Sequence, residues 1–157
     1  MTREFMEAYR KAYDKKRKRK IYLGNPEKFI ALQYLLAYHE ERGDKILVYF
    51  YDTDLLKIYS KKLKKKKILG QTREEKRSKY FEKFRSDDTF NVIFITSVGD
   101  TSIDLPDANV VIEISAQYGS RRQFTQRFGR ILRPKPDVKE RFNAFFYSVV
   151  SLETEVP

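Results

Sequence analysis

The stretch 91-NVIFITSVGDTSIDLPDANVVIEI-114 holds two almost unbroken apolar runs, residues 91–96 and 109–114, on either side of a loop rich in hydroxyls and carboxylates. A strand with one wet face alternates apolar and polar side chains, so continuous runs of this length predict strands buried on both faces. Working outward, KILVYFY (45–51) and NAFFYSVV (143–150) give two more strands, and residues 67–69 a short one. Helical patterns lie between them. Asn25 caps and Pro26 opens a helix to about Arg42, with Phe29, Leu32, Leu35 and Leu36 as its apolar stripe and Gly43 as its stop. A second helix starts near 52–54, and a third runs from a capping box of Thr72 and Glu75 to about Phe84. A fourth covers about 120–132. Upstream, residues 3–19 read as one basic helix and 21–23 as a short strand. The alternation predicts an α/β domain, a mostly parallel sheet with helices on both faces. Ligands of such sheets gather at the carboxyl ends of the strands, here just after Thr96 and Ile114.

The composition narrows the chemistry. The chain has 157 residues, 41% hydrophobic and 35% charged, enough for one domain with a core and short for two. It has no cysteine and one histidine, His39, which excludes disulfide frameworks, thiolate nucleophiles and Cys/His zinc sites; no metal site is expected. No stretch approaches the ~20 apolar residues of a membrane span, and no membrane partner is expected. Lys and Arg number 33 against 22 Asp and Glu, a net charge of +11 that favours a polyanionic partner. KKRKRK (15–20) and KKLKKKK (61–67) carry part of it; each reads equally well as a solvated face, and the first also as a nuclear-import signal.

Two segments carry the chemistry. In QRFGRILR (126–133), at roughly 100° per residue, Gln126, Arg130 and Arg133 share a narrow helical face with Gly129 beside them, while Phe124, Phe128 and Ile131 face the sheet. Two permanently charged guanidinium groups aimed one way suit a phosphate. Gly129 costs a helix ~1 kcal/mol relative to alanine, and its bare backbone would admit an anion or a partner surface. In TSVGDTSIDLP (96–106), hydroxyls and backbone N–H groups at a strand end can hold nucleic-acid phosphates without reading sequence; by itself the loop is equally a turn with capping residues. Arg121 and Arg122 by themselves read as a salt-bridging surface, and His39 as a packing or surface residue.

Together these segments resemble the C-terminal half of superfamily 2 helicases: TSVGDTSIDLP stands as motif V, QRFGRILR as motif VI and KILVYFYDT in the place of motif IV. With their flanks, DTSIDLPDANVVIEIS, GSRRQFTQRFGRILR, NAFFYSVVS and NPEKFIALQYLLAYHEERGDKI, they resemble the XPB family, the ATP-dependent DNA motor of the transcription and repair factor TFIIH. The resemblance runs from about residue 21 to 153. It implies a second RecA-like domain over 21–157, preceded by a basic helical lead-in over 1–20, as a fragment of a two-lobe motor. It implies that Arg130 and Arg133 act on the γ-phosphate, Arg133 as the finger, and that Gln126, Asp104, Gly99 and Gly129 line the nucleotide side. It also implies DNA-backbone contacts by Thr96 and Ser97, with Thr72 and Arg122 beside them. Ser102 stands where many superfamily members have glycine, so the generic contact at that position is not carried over.

No GxxxxGK[ST] loop and no DEAH-like segment is present. ATP and magnesium are therefore expected to sit mainly on a missing N-terminal lobe, and this chain is expected not to hydrolyse ATP alone. The implied partners are DNA, that lobe and other TFIIH subunits, in promoter opening and nucleotide excision repair in the nucleus. Two alternatives stay open: a non-enzymatic basic nucleic-acid-binding module, and half of an RNA helicase.

Overall fold

A computed structural model describes residues 1–96, 107–115, 128–129, 132–134, 143–152 and 154. Its elements in chain order are α1 (Arg3–Lys11), α2 (Lys15–Leu23), α3 (Pro26–Glu41), β1 (Ile46–Phe50), α4 (Thr53–Leu63), β2 (Lys66–Ile68), α5 (Glu74–Ser86), β3 (Val92–Thr96), β4 (Val110–Ile114) and β5 (Phe145–Val149). The strands form one sheet in the order β2-β3-β1-β4-β5, and every pairing is parallel.

The apolar runs have the predicted cause. Every residue of β1, β3 and β4 is buried. Alternate side chains enter two separate cores. Ile46, Val48, Phe50, Phe94 and Ile112 pack with Leu32 and Leu36 of α3 and Leu55, Leu56 and Tyr59 of α4. On the other face Leu47, Tyr49, Ile93, Ile95 and Val111 pack with Phe81 and Phe84 of α5 and with Phe128. α4, which follows β1, and Phe128, which follows β4, thus pack on opposite faces. That difference makes the β1/β4 pair the topological switch point of the sheet.

A polar clamp fixes the amino ends of the strands. Asn109 Oδ1 accepts from the Lys45 N–H (2.7 Å), while its Nδ2 donates to Asp44 Oδ1 (2.8 Å) and to the Asn143 carbonyl (3.1 Å). Asp44 Oδ2 accepts from Arg42 Nε (3.0 Å) and lies 2.7 Å from Nδ1 of His39. His39 Nε2 is 3.1 Å from the Tyr147 hydroxyl. His39 is a fully buried packing residue, tied on both ring nitrogens.

Three local expectations are corrected. Residues 3–19 form two helices, because Asp14 accepts from the Lys16 and Arg17 N–H groups and starts a new one. Residues 21–23, expected as a strand, are the last turn of that second helix. Thr72 and Glu75 do not form a capping box: α5 is capped at Arg73 without a side-chain bond, and Thr72 Oγ1 instead accepts from the Leu69 N–H at 2.8 Å. The turn after β2 leaves that N–H without a sheet partner, and the nearby hydroxyl satisfies it. The Asn25 cap, Pro26 at the first turn and Gly43 at φ +67° are as expected. Among the described residues no helix is long and apolar enough to cross a membrane.

Two outcomes are expected. Asn109→Ala removes three hydrogen bonds and strands buried partners, and should cost about 3 kcal/mol in chemical denaturation. Tyr59 sits edge-on to Phe29 and Phe50, and burial pushes its hydroxyl up to about 12. The unfolded chain therefore loses this proton first, so the stabilisation present below pH ~10 declines as pH rises through about 12. Melting curves of Tyr59→Phe should fall less steeply over that window than those of the unsubstituted chain.

Candidate nucleotide and nucleic-acid faces

The candidate residues fall at two ends of the sheet. Thr96 closes β3 in register with Phe50 at the end of β1, which is in turn level with Ile114. It is buried at the carboxyl end of its strand. Thr72 belongs to the same rim: Ile68 is level with Ile95, and Thr72 follows in the turn beyond β2. Its carbonyl accepts from the Arg77 guanidinium at 3.0 Å, which holds the turn against α5.

The rest of this rim is built by residues that sequence reasoning passed over. Ser115, just past β4, adopts φ +70° and donates its N–H to the Val149 carbonyl at 3.0 Å. Lys28 is almost fully buried, and its Nζ donates to Ser115 Oγ at 2.6 Å. The Asn25 amide donates to Ser151 Oγ at 2.9 Å, so the amino end of α3 is fastened over the ends of β4 and β5. Glu113, buried inside β4, accepts from the Tyr51 hydroxyl at 2.6 Å and from the Ser148 hydroxyl. A carboxylate within the run NVVIEI was the one available signal, since a charge at a buried strand position needs donors.

Arg133 lies elsewhere. Its N–H donates to the Ala108 carbonyl at 2.8 Å, beside the bridge between Ala108 and Leu132. Ala108 precedes β4, so Arg133 emerges, exposed, at the amino ends of the strands. The six steps from Ala108 to Ile114 span ~20 Å of strand. Arg133 therefore lies at the opposite end of the sheet from Thr96 and Ile114, while the Phe128 ring packs against Tyr49, centroids 5.3 Å apart.

Gly129 is exposed, and among the described residues nothing lies within 4 Å of a Cβ placed there. No positive φ calls for glycine at this position either. Neither packing among the described residues nor backbone geometry accounts for a glycine here. Arg130, Gln126, Asp104, Gly99, Ser97 and Arg122 lie outside the described residues.

Comparisons with known proteins show the family and the fold. The family model for the ERCC3/RAD25/XPB C-terminal helicase matches residues 1–156. The general transcription and DNA repair factor IIH helicase/translocase subunit XPB of Dictyostelium discoideum is 48% identical over 155 residues, covering 99% of this chain and 19% of that protein. The XPB/SSL2 subunit of Saccharomyces cerevisiae is likewise 48% identical, over 99% of this chain and 18% of its own length. The chain thus spans about a fifth of these relatives. Among solved structures, the Sulfolobus solfataricus SWI2/SNF2 ATPase core in complex with dsDNA aligns with 94% of this chain and 36% of that one (TM-score 0.63, 16% identity). The C-terminal domain of that ATPase aligns with 95% and 70% (TM-score 0.60, 17% identity), and both share the fold. Matched from residue 1 to residue 156, the chain belongs to the ERCC3/RAD25/XPB C-terminal helicase family.

Proposed function

We propose that this chain is the C-terminal lobe of an ATP-dependent DNA helicase or translocase, working with an N-terminal RecA-like lobe of a longer protein. The carrying observation is the separation of two anion-seeking features on one rigid sheet: hydroxyls at the carboxyl rim, and an exposed arginine at the amino ends. The names of the relatives support placing the longer protein in TFIIH, in a nucleus, acting on DNA in transcription and repair.

The open face at Gly129 and the exposed Arg133 suit a phosphate presented by another lobe. ATP and magnesium sit mainly on the companion lobe in this reading. When bound there, ATP with magnesium supplies the phosphoryl-transfer chemistry. Arg133, joined by Arg130 from the same motif, stabilises charge on the γ-phosphate oxygens and so favours lobe closure. Thr96, Thr72, Ser97 and Arg122 hold the DNA backbone, and Gln126, Asp104 and Gly99 line the nucleotide side. Because the sheet joins the two ends rigidly, closing at one end displaces the grip at the other.

Two outcomes test this. In the longer protein, Arg133→Ala should lower DNA-stimulated ATP turnover by about a thousandfold while DNA affinity without nucleotide changes less than about twofold; unchanged turnover removes the assignment. Gly129→Ala should raise the stability of this chain by about 0.5–1 kcal/mol yet lower turnover in the longer protein; stabilisation with full turnover would show that nothing approaches Gly129.

A further inference from the structure

The run KKLKKKK is only partly explained by the reading above. Lys61 and Lys62 end α4, where cations favourably meet the helix dipole, and Lys66 and Lys67 lie on β2, an edge strand, where lysines block pairing with other chains. Those explanations do not account for what the fold does with the run. A cleft of about 990 Å³ opens between α4, β2 and the start of α5, and eight of its thirteen lining residues are Lys or Arg, with no carboxylate among them. Lys57 and Lys61 reach it from α4, Lys66 and Lys67 from β2, and Arg73 and Lys76 from α5.

Like charges gathered in a hollow repel each other, and three elements here converge without an acid. Of the lining cations only Lys65 has an ion-pair partner among the described residues, Glu40. Lys64 adds a second observation. It caps α4 at φ 52° and ψ 36°, a left-handed position where glycine would sit without strain. The turn is locked around it: Lys65 N–H donates to the Ser60 carbonyl at 3.1 Å, and Ser60 Oγ donates to the Lys65 carbonyl at 2.7 Å. A lysine is thus held where local geometry prefers glycine, at the mouth of a cationic cleft.

We propose that this cleft is a second phosphodiester-binding site, which takes the backbone of a nucleic acid running on from the carboxyl rim. Thr72 lines the cleft and belongs to that rim, so one strand could pass from Thr96 past Thr72 into the lysines without leaving the surface. Lysine ammonium groups, seven against one arginine, suit point-charge contact with phosphates, whereas recognition of peptide carboxylates favours the arginine fork. The proposal rests on the nucleic-acid reading above but not on the arginine finger, and its test needs no nucleotide.

The test is fluorescence anisotropy of the 157-residue chain with a short DNA duplex across a salt series. Lys61→Gln/Lys64→Gln/Lys67→Gln should weaken binding about tenfold or more and flatten the salt slope by about 0.9 for each phosphate no longer neutralised. Lys15→Gln/Lys16→Gln/Lys20→Gln, on the exposed face of α2, removes the same charge and should do much less. Lys64→Gly should raise the melting temperature and still weaken binding, a pairing that misfolding cannot produce. Equal losses from the two triple variants would reduce the effect to net charge and overturn the site. So would polyglutamate displacing the duplex as well as a second duplex does, or Lys64→Gly binding DNA like the unsubstituted chain.

Discussion

Burial of β1, β3 and β4 on both faces is the constraint from which the rest of the structure follows. A five-residue strand with no wet face must have helices above and below, and the chain supplies them by sending α3 and α4 to one side and α5 and the Phe128 segment to the other. The parallel pairing that results puts all carboxyl ends at one rim and all amino ends at the opposite edge. The Asn109–Asp44–His39 clamp closes one edge, and the Lys28–Ser115 and Asn25–Ser151 bonds close the other. Each end is therefore stiffened separately, and the sheet between them has little freedom to shear.

In the proposed motor, that stiffness gives the lobe its use. A motor lobe must carry a small movement at a nucleotide to a distant grip on a polymer, and a sheet ~20 Å deep, packed on both faces, transmits it as a rigid body. The two ends also differ in chemistry. Under the proposed function, hydroxyls at the carboxyl rim bind phosphate oxygens without strong charge, so a backbone can be released, and the exposed guanidinium at the amino ends acts on concentrated charge. The lysine cleft beside β2, if it takes phosphodiesters as proposed, extends the first kind of surface with the long-range pull that the rim lacks.

Much of this was readable in the residues, for physical reasons. Two-face burial leaves continuous apolar runs, and Asn25-Pro26 and Gly43 are capping chemistry that acts locally, so the strands and α3 could be placed from neighbours alone. The errors came where a local signal had two uses. Asp14 was an N-cap hidden in a charge run, residues 21–23 were too few to separate strand from helix, and the Thr72 hydroxyl served a turn rather than a cap. The unforeseen parts of the site join residues far apart in sequence: Lys28 with Ser115, Tyr51 with Glu113, His39 with Tyr147. No spacing rule contains such pairs. The family resemblance named Arg133 and Thr96 together, but only the register of Ala108 beside Leu132 shows them at opposite ends of the sheet.

The most direct test is the structure of the longer protein bound to DNA and a non-hydrolysable ATP analogue. The account predicts the Arg133 guanidinium within ~3 Å of a γ-phosphate oxygen, with DNA phosphates lying along the Thr96 and Thr72 rim at the far end of the sheet. Arg133 resting on DNA, or left in solvent while the nucleotide is enclosed, would contradict it.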